Sequence, residues 1–157
     1  MRCMAVMVVA AAVFGGCSDD GGAGGGGAAA DPGEAGVVAA ATELAEGAFS
    51  GDWSKVRAGR TPECQETTGV GDLAVEGEFG MSMAAGFSGI EREDLRRAEV
   101  RDVVVLDIVE GESATASIET WLDGELLFAV DETGEDYLYV GGRWRSASCD
   151  FGVDADG

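Results

Sequence analysis

The pattern of apolar and polar positions changes period once along the chain, near Val100. Upstream, Val37, Ala41, Leu44 and Ala48 recur at helical spacing and form one apolar stripe. Asp31-Pro32-Gly33-Glu34 precedes the stripe and predicts a helix start, with Asp31 as N-cap and Pro32 at the first helical position. Gly47 and Gly51 interrupt the pattern. Asp52 then caps a second short helix carrying Trp53, Val56 and Ala58, which stops near Gly59 and Pro62. From Thr67 to Gly89 the chain is glycine-rich, with Leu73, Val75, Phe79, Met81, Met83 and Phe87 scattered among small residues; one helix is expected around Phe79 to Ala85. Downstream the period is two. Val100 to Val109 is rich in β-branched residues, and Ala114 to Leu122 alternates, with Ala114, Ala116, Ile118 and Thr120 on one face and Trp121 on the other. Asp123-Gly124 turns the chain into a strand from Glu125 to Val130, and Gly141-Gly142 joins Tyr137–Val140 to a last strand from Arg143 to Cys149. Asp131 to Asp136 reads as an acidic loop. Helices followed by an antiparallel meander predict an α+β domain with the helices on one face of the sheet.

The N-terminal segment has a different character. Arg2 is followed by an uncharged stretch from Cys3 to Phe14 and by Gly15-Gly16-Cys17, the layout of a secretory signal peptide. Its apolar run is too short to span a bilayer, which needs about 20 residues. Phe14-Gly15-Gly16-Cys17 resembles the lipobox of bacterial lipoproteins, with Phe14 where that pattern has an aliphatic residue. The resemblance implies that Cys17 carries the lipid and becomes the first residue of an anchored protein on the extracytoplasmic face of a cell membrane. Gly21 to Ala30 is almost entirely Gly and Ala and predicts a flexible tether, because it offers too little apolar surface to fold. The expected organisation is a signal peptide over 1–16, the lipidated cysteine and tether over 17–30, one domain over 31–152 and an acidic tail over 153–157.

Charge and cysteines narrow the possibilities. A formal net charge of −20 opposes phosphate backbones, so nucleic acid is not an expected partner. Of four cysteines, Cys3 leaves with the signal and Cys17 is used for the lipid. Cys64 and Cys149 remain, and in an exported chain such a pair predicts a disulfide.

Helix-then-meander order, Gly51-Asp52-Trp53 and Gly142-Arg143-Trp144-Arg145 together resemble the nuclear transport factor 2-like superfamily over roughly residues 37–149. The resemblance implies a cone-like roll, of the kind cystatins also approach, in which a curved sheet wrapped by helices surrounds a pocket. Enzymes of that superfamily typically place an Asp–His pair in the cone. This chain has no histidine, so that chemistry is not carried over.

The same lack removes serine–histidine and cysteine–histidine catalysis. Lys55 is the only lysine and has Asp52, not Ser, three positions before it. Gly69-Val70-Gly71-Asp72-Leu73-Ala74 fits a dinucleotide fingerprint only loosely, with no apolar strand before it. Asp131, Glu132, Glu135 and Asp136 lack the spacing of a calcium loop and read as a solvated hairpin loop. No metal, cofactor or catalytic residue is therefore expected. If the sheet forms a pocket, Trp121, Phe128 and Trp144 are the residues expected to line it. The function expected is non-enzymatic: a membrane-anchored binding or accessory module for an envelope protein or a small apolar ligand. The alternative is a carboxylate-dependent hydrolase or isomerase of small molecules, marked by a buried Asp or Glu at the bottom of a pocket.

Overall fold

The computed structural model describes residues 28–129 and 133–149. The signal segment, Cys17 and the acidic tail lie outside them, as do Asp131 and Glu132. Five helices precede five strands: α1 (Glu34–Ser50), α2 (Trp53–Ala58), α3 (Pro62–Thr67), α4 (Val70–Ser88), α5 (Arg92–Leu95), β1 (Glu99–Val109), β2 (Ser113–Leu122), β3 (Glu125–Phe128), β4 (Glu135–Val140) and β5 (Arg143–Ser146). The fold is α+β, with helices packed against a strongly curled antiparallel sheet that forms a half-barrel. No described helix is long and apolar enough to cross a membrane.

Asp31 does not cap α1. Its carboxylate accepts from the Gly33 amide at 2.8 Å, closing a turn two residues long, and Gly33 itself takes the N-cap position. Ala28–Ala30, assigned to the tether by composition, form a single 3-10 turn with Ala29 buried. Gly47 does not interrupt α1 but lets α2 approach, since a Cβ there would meet Val56 at 3.2 Å. The helix ends at Gly51, whose φ of 75° supplies the left-handed residue a C-terminal cap needs. Asp52 caps α2 as expected, accepting from the Lys55 amide at 3.0 Å. Pro62 opens α3 rather than closing α2, because its missing N–H is no loss in a first helical turn.

The largest departure is α4, a 19-residue helix where a shorter one was expected. It packs through Leu73, Gly77 and Ala85, while Val75, Phe79, Met83 and Phe87 face solvent. Gly77 lies directly on the Trp53 ring, where a Cβ would come within 2.2 Å of it. Gly80 and Gly86 have open space around them. Gly77→Ala is therefore expected to destabilise the protein by about 1–3 kcal/mol through overpacking, whereas Gly80→Ala and Gly86→Ala each stabilise it by about 0.4–1 kcal/mol through reduced unfolded-chain entropy. Urea unfolding of the three variants checks both signs.

The sheet runs β1-β2-β4-β5, with β3 also paired to β2. Glu125–Phe128 pair with the Thr120–Leu122 end of β2, and Glu135–Leu138 pair with Ser113–Ala116. β3 and β4 thus lie end to end along one edge of β2. Between them, Ser117, Ile118 and Glu119 have no strand opposite on that edge among the described residues. Positive-φ pairs Asp123-Gly124 and Gly141-Gly142 make the two tight hairpin turns. Irregularities in β1, between Val100 and Asp102 and between Val105 and Asp107, bend the long outer strand. Val37, Ala40 and Ala41 of α1 pack on Ala114, Ala116, Tyr137 and Trp144 in the concave face. A smaller cluster of Leu44, Trp53, Val56 and Leu73 joins α1, α2 and α4. The Cys64–Cys149 disulfide ties α3 to the end of β5 across 85 residues.

Candidate functional site

The break between β3 and β4 opens into the concave face of the sheet. A cavity of about 310 Å³ lies there, walled by Phe49 of α1, by Ala116, Ile118 and Thr120 of β2, and by Phe128 at the end of β3, with Glu135 and Tyr137 of β4 alongside. A second space of about 170 Å³ lies beneath α1, against Leu44, Ala45 and Ala48, and shares Phe49, Ile118, Glu135 and Tyr137 with the first. The cause is local. Towards Val37 the small side chains of α1 sit directly on Ala114, Ala116 and Trp144. Farther along the helix, alanines at 45 and 48 face a stretch of sheet that has no neighbouring strand among the described residues, and no described side chain fills the gap.

Strand alternation puts Glu135 there. Residues of one strand face alternate sides, so Glu135 points with Tyr137 into the concave face while Asp136 faces outward and takes the Thr115 hydroxyl at 2.8 Å. The sequence places both acids in a solvated loop; instead both belong to β4. Glu135 is partly exposed as a residue, but its carboxyl is enclosed. The Ser146 and Tyr137 hydroxyls donate to it. Burial pushes this carboxyl above the usual carboxylate range, against the opposing pull of those hydrogen bonds and of the Arg60 charge. Burial and the neighbouring carboxyl raise the Tyr137 phenol as well, keeping it a neutral donor. Thr120 is fully buried, and its hydroxyl has no hydrogen-bond partner among the described residues. Among the described residues, none of the side chains lining either space is basic.

Of the three aromatics expected at a pocket, Phe128 lines the cavity and two do not. Trp121 is out of phase with Thr120. It lies on the other face of the sheet, donates to Glu119, and has the Arg101 guanidinium 4.7 Å from its ring centre. Trp144 is fully buried in the closed part of the concave face, edge-on to Tyr139 with ring centres 5.3 Å apart. Phe49, Thr120, Glu135 and Tyr137 are the residues that sequence reasoning did not select. The signal for the last two was present: the alternation of Tyr137-Leu138-Tyr139 carries back to Glu135.

A carboxyl whose pKa is raised by folding binds its proton more tightly in the native state. Its contribution to stability is full below the unfolded pKa and falls as pH rises towards the folded pKa. Glu135→Gln removes this loss. The variant is expected to gain stability relative to the parent as pH increases above the unfolded carboxylate range, with no such gain in acid. Paired thermal melts at several pH values measure it; a difference that is flat with pH would contradict the enclosed carboxyl.

The chain matches no protein-family model, no curated protein and no solved structure.

Proposed function

We propose that this protein is a lipid-anchored, extracytoplasmic binding module that takes a small, mostly apolar ligand into the concave face of a nuclear transport factor 2-like roll. The observation that carries the reading is the cavity at the β3–β4 break: about 310 Å³, near the lower end of the range for small-molecule sites, with apolar walls and a few convergent polar groups. The anchor rests on Phe14-Gly15-Gly16-Cys17 and the Gly/Ala tether that follows. The disulfide agrees with an oxidising compartment. Native mass spectrometry of protein drawn from its own membranes tests both parts. A diacylated or triacylated Cys17 and a retained small molecule are expected, and Ala116→Phe, which fills the cavity, loses the molecule while keeping the lipid. An N-terminus elsewhere than residue 17 overturns the anchor; an equal yield of the molecule from Ala116→Phe overturns the pocket.

One observation favours a second reading. Glu135 sits in the cavity with its carboxyl pushed by burial above the usual carboxylate range, the direction a general acid requires. In a carboxylate-dependent hydrolase or isomerase, Glu135→Gln would abolish turnover while the ligand still bound. A binding module returns its ligand chemically unchanged from both proteins.

A further inference from the structure

We infer that the cavity selects a small organic cation, an apolar body ending in an ammonium group, with Glu135 as its counter-ion and the Phe49, Phe128 and Tyr137 rings as the surrounding wall. The inference rests on the binding-module reading and adds the class of ligand to it.

Three features converge on positive charge. The first is the polar inventory of the cavity. Among the described residues, Glu135 is the one ionisable carboxyl lining it and no lysine or arginine lines it, so an acidic ligand would meet no cation in the described wall. The second is the wall. Phe49, Phe128 and Tyr137 are three aromatic residues around the space that Glu135 borders, and the faces of aromatic rings attract ammonium groups, most strongly where water is excluded. The third is the field of the whole molecule: a chain of net charge −20 concentrates cations and repels anions.

The energetics of the empty site point the same way. Enclosing a carboxyl costs free energy unless it stays protonated or meets a positive partner. The groups that act on Glu135 are the Ser146 and Tyr137 hydroxyls, Arg60, whose charge favours ionisation, and Asp136, whose charge opposes it. Together they leave the carboxyl above its ordinary range. An ammonium group entering beside it removes the penalty: Glu135 gives up its proton to solvent, and the resulting carboxylate pairs with the cation. Charge balances, with one proton released for each ligand cation bound to the protonated site. Thr120, whose buried hydroxyl lacks a partner among the described residues, is a further acceptor on the same wall.

The test uses the chain from Ser18 to Gly157, which contains every described residue, and three probes of nearly equal shape: 3-phenylpropylammonium, 3-phenylpropan-1-ol and 3-phenylpropanoate. Titration calorimetry at neutral pH, repeated in buffers of different ionisation enthalpy, reads affinity and proton release together. The ammonium is expected to bind roughly tenfold or more tighter than the alcohol, and the propanoate is expected not to bind. Glu135→Gln erases the difference between ammonium and alcohol. Phe128→Leu, which keeps an apolar wall, weakens the ammonium more than the alcohol. Equal binding of ammonium and alcohol by the parent overturns the cation assignment and leaves the binding-module reading standing. Preferred binding of the propanoate does the same. Failure of all three probes, together with no retained molecule in the native mass spectra, overturns both.

Discussion

Replacing Cys64 and Cys149 together by alanine is expected to destabilise the protein by about 4–5 kcal/mol, from the chain-entropy cost of opening a long loop. The crosslink spans 85 residues, and the chain it closes runs through α4, α5 and nearly the whole sheet. Against a typical domain stability of about 5–15 kcal/mol, the loss is a third or more. It corresponds to a fall in Tm on the order of 15–20 °C for a domain of this size. Non-covalent contacts guard the same junction. The Thr61 amide donates to the Ser146 carbonyl at 2.9 Å, the Ser146 amide donates to Gly59 at 2.9 Å, and Arg60 donates to the Cys149 carbonyl. The double variant should therefore still fold in the cold, with the native sheet spectrum and a larger urea m-value, because its unfolded chain is less constrained. A loss below about 1 kcal/mol would show that these contacts, not the disulfide, hold the two ends of the domain together.

Much of this architecture is legible in the sequence where local chemistry and burial agree. β2 alternates in sequence because one face is covered by α1, so its apolar positions largely coincide with its inward residues, with Ser117 the buried exception. Asp123-Gly124 and Gly141-Gly142 mark their turns because those turns need positive φ. Asp52 marks α2 because an N-cap acceptor is required there. Legibility fails in α4. Its apolar residues at 75, 79, 83 and 87 face solvent, and the contact with α2 is made through a glycine. Hydrophobic periodicity assumes that apolar side chains mark the packed face; here the close approach of the Trp53 ring demands the absence of a side chain. β3 and β4 fail differently. Both pair with β2, and nothing in a linear pattern says that two short strands share one edge of a third.

The candidate site inherits that difficulty. Its position depends on the break between β3 and β4, and Glu135 is readable only once the strand is known to start before Tyr137. An acid among Asp131, Glu132 and Asp136 reads as one more solvated charge, whereas the pleat gives adjacent residues opposite fates: Asp136 outward, Glu135 inward. Phe49 is harder still, since it lies near the end of α1 outside the stripe formed by Val37, Ala41, Leu44 and Ala48. Phe128 and Tyr137 combine an aromatic side chain with a position that strand alternation could indicate.

Trp144→Ala is expected to cost about 3–5 kcal/mol, the range for removing a buried aromatic side chain. Trp144 is fully buried, stands edge-on to Tyr139, and donates its indole N–H to the Asp31 carbonyl at 2.9 Å. That carbonyl is also where a Cβ on Gly36 would intrude, at 1.8 Å, so the first turn, α1 and β5 meet at one point. Tyr139 adds a second clamp, its hydroxyl donating to the Ala30 carbonyl at 2.8 Å. The two aromatic side chains thus hold the segment just before α1 against the sheet, at the place where the proposed tether joins the domain. Trp144→Phe separates packing from clamping, since it keeps a ring on the core but drops the donor. It should cost less, about 1–3 kcal/mol, and the loss should be uneven. Amide exchange is expected to accelerate at Asp31, whose N–H donates to Ala28, and at Gly36 and Val37, whose N–H groups donate to Gly33, while the paired amides of β1 and β2 stay protected. Uniform acceleration across the sheet would mean that Trp144 supports the core as a whole and fixes no particular exit for the tether. A loss confined to the first turn would make it the residue that fixes the segment just before α1 against the sheet.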